Sequence, residues 1–315
     1  MARVLVSDSL APQGLEILEQ ARGLEVDYAP GLSPAELLER IRDAEGLVIR
    51  SGTKVTKEVL AGAEKLRVIG RAGIGVDNVD VNAATERGVV VVNTPSGNNV
   101  TTAEHAIALL VSLARHIPQA TASMKAGRWE KNAFTGMELS NRTLGILGLG
   151  NIGRVAAQIA QGIGMRVVAY DPHLPEDIAA KLDIELLGLD EVLARADALT
   201  VHVPKTKETT GLLGAAAFAK CRKGVLVVNA ARGGIVDEAA LLAALESGQV
   251  GGAALDVFAE EPPPADHPLI RHPKVICTPH LGASTEQAQL NVAVQVAEQV
   301  RDYLLQGEIR NGVNV

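Results

Sequence analysis

The stretch "TLGILGLGNIGR", Thr143 to Arg154, constrains the fold more than any other part of the chain. It reads as an apolar β-strand that runs into a glycine-rich turn and then a helix. Gly148, Gly150 and Gly153 give the spacing G-x-G-x-x-G. The first glycine allows a tight turn. The second lets the backbone approach a pyrophosphate, and the third lets the helix pack close to the strand, with Asn151 and Ile152 in its first turn. The spacing alone is a weak signal, but here strand, turn and helix are all in place. Asp171 also closes the next apolar run, 21 positions after Gly150. A carboxylate there suits the two ribose hydroxyls of NAD and repels the 2′-phosphate of NADP. Its neighbours are Tyr170, Pro172 and His173, with no arginine among them. NAD is therefore the expected cofactor; the competing reading is a turn whose glycines serve packing alone.

The turn comes late in a chain of 315 residues, which has room for two domains of ordinary size. Short β-branched runs alternate with helical patterns on both sides of it, which argues for parallel sheets covered on both faces by helices. Strands are expected at 3–8, 24–29, 46–50, 67–72 and 89–94, and again at 143–148, 166–171, 198–203, 225–230, 252–257 and 274–279. Ser33, Pro34 and Glu36 mark a helix start with a capping box. A long helical pattern spans Thr101 to about Ala126, interrupted by Pro118, and a final one follows Ser284. The expected fold class is α/β: two doubly wound parallel-sheet domains, Rossmann- or flavodoxin-like, of about five and about six strands. The last helix is expected to return to the first domain, because the second sheet is complete before that helix begins.

Composition narrows the partners. A formal net charge of −7 and an aromatic content of 2% give a nucleic acid neither electrostatic attraction nor stacking platforms. Two cysteines, Cys221 and Cys277, make no disulfide framework, and the N-terminus carries Arg3 and Asp8 where a signal peptide needs an apolar core. Apolar runs such as "AIALLVSLA" are too short to span a bilayer. A cytoplasmic protein with no membrane partner is expected.

Hydride chemistry with NAD requires groups that hold the substrate and handle a proton, at the C-terminal ends of strands. Arg232, after "VLVVNA", offers a planar, permanently charged fork for a carboxylate. His280, after "VICTP", is a candidate proton carrier, with His202, at the end of "ALTVHV", as its rival. His105 and His116 lie on the long helical pattern and read as packing or surface groups, while His173, His267 and His272 fall in loops. A carboxylate beside an imidazole orients the ring, and Asp256, Glu260 and Glu261 all compete for that place. Cys277 and His280 have C-x-x-H spacing, but no second ligand pair accompanies them, so no metal is expected.

The segments "VIRSGTKV", "GRAGIGVDNVD", "NTPSGNNVTTAEH", "QATASMKAGRWEK", "NAARGGIVDEAAL", "GAALDVFAEEPP" and "TPHLGAST", together with the glycine turn, resemble the D-isomer-specific 2-hydroxyacid dehydrogenases over essentially the whole chain. The stretches 119–131 and 252–263 look most like the members that act on phosphoglycerate. The resemblance implies a nucleotide domain, 98–285, inserted in a substrate domain built from 1–97 and 286–315. It implies that Arg232 binds the substrate carboxylate, that His280 is the acid/base and that Glu261 pairs with it. Asp256 then falls to the nicotinamide side, and His202, Val203, Ala230, Ala231, Gly282, Ala283 and Ile74 join the cofactor site. Arg50, Ser51, Arg71, Gly73, Ile74, Gly75 and Asn98 are the implied substrate contacts, with Arg50 and Arg71 on a phosphate. Lys131 adds weak support for a phosphorylated substrate. Some relatives carry threonine where this chain has Ile74, which is expected to weaken one hydrogen bond while the backbone contacts there survive.

The expected reaction is NAD-dependent oxidation of 3-phospho-D-glycerate, the entry to serine synthesis. Reduction of glyoxylate or hydroxypyruvate is the alternative, and an NAD(H)-sensing corepressor is a reading from a different class. Many relatives carry C-terminal serine-sensing domains, and the chain stops at "EIRNGVNV", so feedback inhibition of that kind is not expected. A homodimer joined through the nucleotide domains is expected, with Trp129 at its interface, a core position being the competing reading of that residue.

Overall fold

The computed structural model describes residues 1–315, leaving aside the side chain of Glu176. The chain divides into two compact units, Met1–Asn98 with Ala283–Val315, and Asn99–Gly282.

The first unit contains β1 (Ala2–Val6), α1 (Pro12–Glu19), β2 (Leu24–Tyr28), α2 (Pro34–Arg40), β3 (Gly46–Ile49), α3 (Lys57–Gly62), β4 (Val68–Arg71), α4 (Val81–Glu86) and β5 (Val90–Asn93). All five strands are parallel, in the order β2-β1-β3-β4-β5 of flavodoxin-like sheets. Helix starts follow local chemistry. Ser33 caps α2 with a capping box, its hydroxyl accepting the Glu36 N–H at 3.3 Å while the Glu36 carboxylate accepts the Ser33 N–H at 2.8 Å. Thr56 and Asp80 cap α3 and α4.

The second unit opens with α5 (Asn99–Ala114) and α6 (Ile117–Lys125). These are the two pieces of the long helical pattern. The break falls at His116, whose φ of 54° is left-handed, and Pro118 lies in the first turn of α6. Then follow β6 (Thr143–Leu147), α7 (Asn151–Gly162), β7 (Arg166–Tyr170), α8 (Glu176–Ala180), β8 (Glu185–Leu186), α9 (Leu189–Arg195) and β9 (Ala198–Val201). The unit closes with α10 (Ala215–Lys220), β10 (Val225–Asn229), α11 (Glu238–Glu246), β11 (Val250–Leu255), α12 (Pro268–Arg271) and β12 (Val275–Cys277). Its parallel strands run β12-β11-β10-β9-β6-β7-β8, the Rossmann order with one added strand. The expectation of about six strands therefore falls short by β8, whose two residues are too few to give a sequence period. Strands β6 and β10 are buried along their whole length, as sheets covered on both faces require.

The final helix α13 (Glu286–Gln306) belongs to the first unit. Its buried face, Val292, Ala293, Val296, Ala297, Val300 and Leu304, packs with Val4, Val6, Val48, Val68 and Val92 of the first sheet. Gly70 in β4 makes room for it: a Cβ there would lie 2.5 Å from Val300 and 2.6 Å from Val296.

Candidate active site

In the second unit the residues singled out in the sequence collect at one end of the sheet. Gly148 follows β6, Asp171 follows β7, and His202 and Val203 follow β9. Ala230, Ala231 and Arg232 follow β10, Asp256 follows β11, and His280 and Gly282 come shortly after β12. Six strand ends thus present their residues on the same side, which is where parallel α/β sheets bind ligands. The switch in strand order lies between β6 and β9, beside the glycine turn.

The turn has the geometry a dinucleotide needs. Gly148 has φ 96°, and a Cβ on it would lie 2.8 Å from the backbone of His202. A Cβ on Gly153 would overlap the Gly148 carbonyl oxygen, so α7 sits as close to the turn as backbone allows. A Cβ on Gly150 would meet nothing within 4 Å, and no side chain caps the α7 N-terminus. The amide groups of the first helical turn, at Asn151 and Ile152, are thus open to an anion. Asp171 accepts the Leu149 N–H at 2.9 Å and the His173 N–H at 3.0 Å, one on each carboxylate oxygen. Each oxygen keeps a second lone pair for a ribose hydroxyl. The residues present fit NAD.

His280 and Glu261 form a pair, with Nδ1 2.7 Å from a Glu261 carboxylate oxygen. Both side chains are partly exposed, at 44% and 37%. The other Glu261 oxygen accepts the Phe258 N–H at 3.1 Å. Partial burial works to raise the Glu261 pKa. The hydrogen bonds from His280 and Phe258, with the positive charges of His280 and Arg232, outweigh it and hold the carboxyl below its ordinary value. Of the three competing acids, Glu261 is the one on the imidazole, Glu260 is exposed, and Asp256 is buried elsewhere.

Arg232 is carried by a backbone that Asn229 holds. The Asn229 side chain donates to the Arg232 carbonyl at 2.9 Å and accepts the Ala231 N–H at 3.1 Å.

Asp256 is 1% exposed and organises the loop that carries His280. It accepts the Thr278 hydroxyl at 2.5 Å, the Leu281 N–H at 2.7 Å and the Gly282 N–H at 2.8 Å. Its backbone carbonyl accepts the His280 N–H at 2.9 Å. Burial pushes its pKa up, but these donors and His105 more than offset that and hold it low. The ties keep His280 at φ 55°, a left-handed conformation rare outside glycine that survives where surrounding bonds over-determine it.

His105 departs from the reading of it as a packing or surface group. Its Nε2 lies 3.2 Å from both Thr278 Oγ1 and Asp256. The signal was its position on the edge of the buried face of α5, three residues after buried Thr102. His202, the rival acid/base, is unsuited to that role: burial pushes its imidazole down to about 4, its Nε2 faces Thr200 at 3.0 Å, and its Nδ1 is enclosed without a hydrogen-bond partner.

In the first unit, Arg50 and Ser51 follow β3, Arg71 ends β4 with Gly73, Ile74 and Gly75 after it, Asn98 lies past β5, and Ala283 begins the returning segment. The loop 50–53 is held by two residues that the sequence did not single out for it. Asp8 accepts the N–H groups of Arg50 at 2.6 Å and Thr53 at 3.1 Å. Asn78 donates to the carbonyls of Arg50 and Thr53, both at 2.7 Å. The Arg50 guanidinium faces Gln289 at 3.3 Å. Arg71 leans over Gly73, whose φ of 142° is a conformation that residues with a Cβ rarely adopt.

Among the described residues no group of three or more His, Cys, Asp or Glu could hold a metal ion, and no helix is long and apolar enough to cross a membrane.

Residues 107–282 match the family described as D-isomer specific 2-hydroxyacid dehydrogenase, NAD binding domain. A D-3-phosphoglycerate dehydrogenase of Archaeoglobus fulgidus is 48% identical over 99% of this chain, and one of Rattus norvegicus is 52% identical over 99%. The chain spans 59% and 58% of those two relatives, so each is considerably longer. A solved structure from Thermus thermophilus has a TM-score of 0.89 at 36% identity, with 99% of both chains covered. A glyoxylate reductase from Paecilomyes thermophila has a TM-score of 0.91 at 28% identity, covering 99% of this chain and 98% of that one.

Proposed function

The chain belongs to the D-isomer-specific 2-hydroxyacid dehydrogenases, and from that membership we propose that it oxidises 3-phospho-D-glycerate to 3-phosphohydroxypyruvate. When bound, NAD supplies the hydride acceptor. The glycine turn, the open N-terminus of α7 and Asp171 are the residues that would hold it, Asp171 selecting NAD over NADP. Ile74, Val203, Ala230, Ala231, Asp256, Gly282 and Ala283 complete that set.

The observation that carries the reading is the His280–Glu261 pair at 2.7 Å. Glu261 engages Nδ1, which leaves Nε2 for the substrate hydroxyl. In oxidation Nε2 takes the hydroxyl proton, and the Glu261 carboxylate balances the imidazolium that results. In reduction the same nitrogen returns it. Arg232 binds the substrate carboxylate with its two-pronged fork and orients C2. Arg50 and Arg71 take the phosphate, with Ser51, Gly73, Gly75 and Asn98 as further contacts.

The fold likeness to a glyoxylate reductase supports a second reading, reduction of an unphosphorylated 2-oxo acid by the same residues. NADH consumption with 3-phosphohydroxypyruvate, hydroxypyruvate and glyoxylate separates the two. The proposal expects the highest kcat/KM for the phosphorylated acceptor. Arg71→Ala should cost that acceptor roughly 10- to 100-fold, the loss of a charge-assisted hydrogen bond of about 1.5–3 kcal/mol, and leave glyoxylate nearly untouched. Equal losses for both would remove Arg71 from the phosphate.

We also propose a homodimer through the second unit. Trp129 is 81% exposed, and Met124 and Ile117, seven residues apart on one face of α6, are 53% and 47% exposed. Large apolar side chains left exposed in this way fit a partner chain. Sedimentation velocity at micromolar concentration should give a dimer, and Trp129→Glu with Met124→Glu a monomer. A unaltered chain that sediments as a monomer would refute the assembly.

A further inference from the structure

We infer that Glu238 and His267 are positioning residues that hold the 258–261 segment from behind and thereby aim Glu261 at His280; the inference rests on the acid/base role proposed for that pair. Glu238 opens α11, just after its N-cap Asp237. One of its carboxylate oxygens accepts the Ala259 N–H at 2.7 Å. The other lies 3.2 Å from Nε2 of His267, the residue that precedes α12. The His267 ring stands edge-on to Phe258, with centroids 5.6 Å apart and planes at 74°. Phe258 in turn donates its N–H to Glu261.

The segment is therefore held at two successive residues by one carboxylate–imidazole couple, and its next bond runs to the catalytic carboxylate. Relative exposure points the same way. The Glu238 and His267 side chains are 22% and 17% exposed, less than the 37% of Glu261 that they support. The Arg232 loop backs the same segment, because a Cβ on Gly233 would overlap the Phe258 carbonyl. The segment is thus held by both the Arg232 loop and the couple, and removing the couple takes away one of the two supports. A hydrogen-bonded Glu261 that swings by about 1 Å loses the orientation on which proton transfer depends.

An acid in the first turn of α11 also favours that helix electrostatically, and this rival role predicts a change in stability alone. The test uses Glu238→Ala, Glu238→Gln, His267→Ala and the double variant, with Glu261→Gln as reference. For each, kcat, KM and the pH profile of oxidation are measured beside the thermal midpoint. Glu238→Ala is expected to lower kcat about 10- to 100-fold with little change in KM, and to move the acid limb in the direction that Glu261→Gln moves it. Glu238→Gln keeps an acceptor for the Ala259 N–H and should restore most of kcat. The double variant should be no slower than the worse single one, because both act through one tie. His267→Ala supplies the reading if Glu238→Ala does not fold. A shifted profile in Glu261→Gln together with unaltered kcat and profile in the Glu238 and His267 variants overturns the inference alone. An unaltered profile in Glu261→Gln overturns the acid/base reading and the inference with it.

Discussion

Replacing His280 with asparagine is expected to lower kcat for oxidation about 10²–10⁴-fold, the usual worth of a positioned general base, while NAD binding stays near that of the unaltered chain. Asparagine places its amide about where the Nδ1 edge of the ring stands and leaves nothing at Nε2, on a backbone held at φ 55°, and it tolerates the left-handed region better than most residues. The loss then reports chemistry rather than collapse of the loop, which Asp256 holds through Leu281 and Gly282. Glu261→Gln should act on the same step, and the pH dependence shows how. The Glu261 carboxyl lies below its ordinary value in the folded chain, so the contribution of the pair is complete above the unfolded value of about 4.3 and is lost as the pH falls through the lower folded value. Glutamine removes that contribution, so stability at neutral pH drops and falls less steeply on acidification. The imidazolium formed in oxidation also loses its counter-charge, so kcat for oxidation falls. Steady-state rates and thermal midpoints across the acid range check both. Rates in His280→Asn within a few fold of the unaltered chain would exclude His280 as the base.

Gly153→Val should weaken NAD binding and destabilise the second unit together. Its Cβ would overlap the Gly148 carbonyl oxygen and lie 3.1 Å from the carbonyl carbon, backbone that has no rotamer to yield. Overpacking of this kind costs about 1–3 kcal/mol, equivalent to roughly 5- to 150-fold in NAD affinity if the turn takes all the strain. Gly150→Ala is the counterpart. A Cβ there meets nothing within 4 Å, so the fold should melt as before while NAD binds more weakly, its pyrophosphate kept off the backbone. Calorimetric titration with NAD, read beside thermal unfolding, separates strain from blocked approach. Unweakened NAD binding in Gly150→Ala would detach the turn from the cofactor.

The strands were legible because parallel sheets bury both faces, so each strand is a short apolar run bounded by turn residues. Arg232, Glu261 and His280 could be found for a related reason: each follows such a run within a few residues. The choice of Glu261 over Glu260 and Asp256 was not legible from spacing, since all three acids follow β11, and it needed the family resemblance. What stayed hidden was the support. Asp8 and Asn78 hold a loop 42 and 28 residues away, and Glu238 reaches across 21 residues to Ala259. These side chains bond backbone amides and carbonyls, which are the same in every residue type, so the partner leaves no mark on the sequence. His105 was misread because a helical pattern reports which face is buried and not what lies opposite it.

The return of α13 to the first sheet has a consequence for synthesis. By the time β5 has been made, at Asn93, the first sheet has all its strands, yet the helix that covers Val4, Val48, Val68 and Val92 begins only at Glu286. At ~5–20 residues per second, the intervening chain takes the ribosome roughly 10–40 s. For that interval the part of the apolar face that α13 covers is bare, beside α1, whose Leu15 and Leu18 already share that cluster, while the second unit, one unbroken segment, has every residue it needs to fold. The nascent protein therefore carries a sticky half-finished sheet, and the last turns of α13 decide when it ceases to be a target for chaperones, proteases and neighbouring nascent chains.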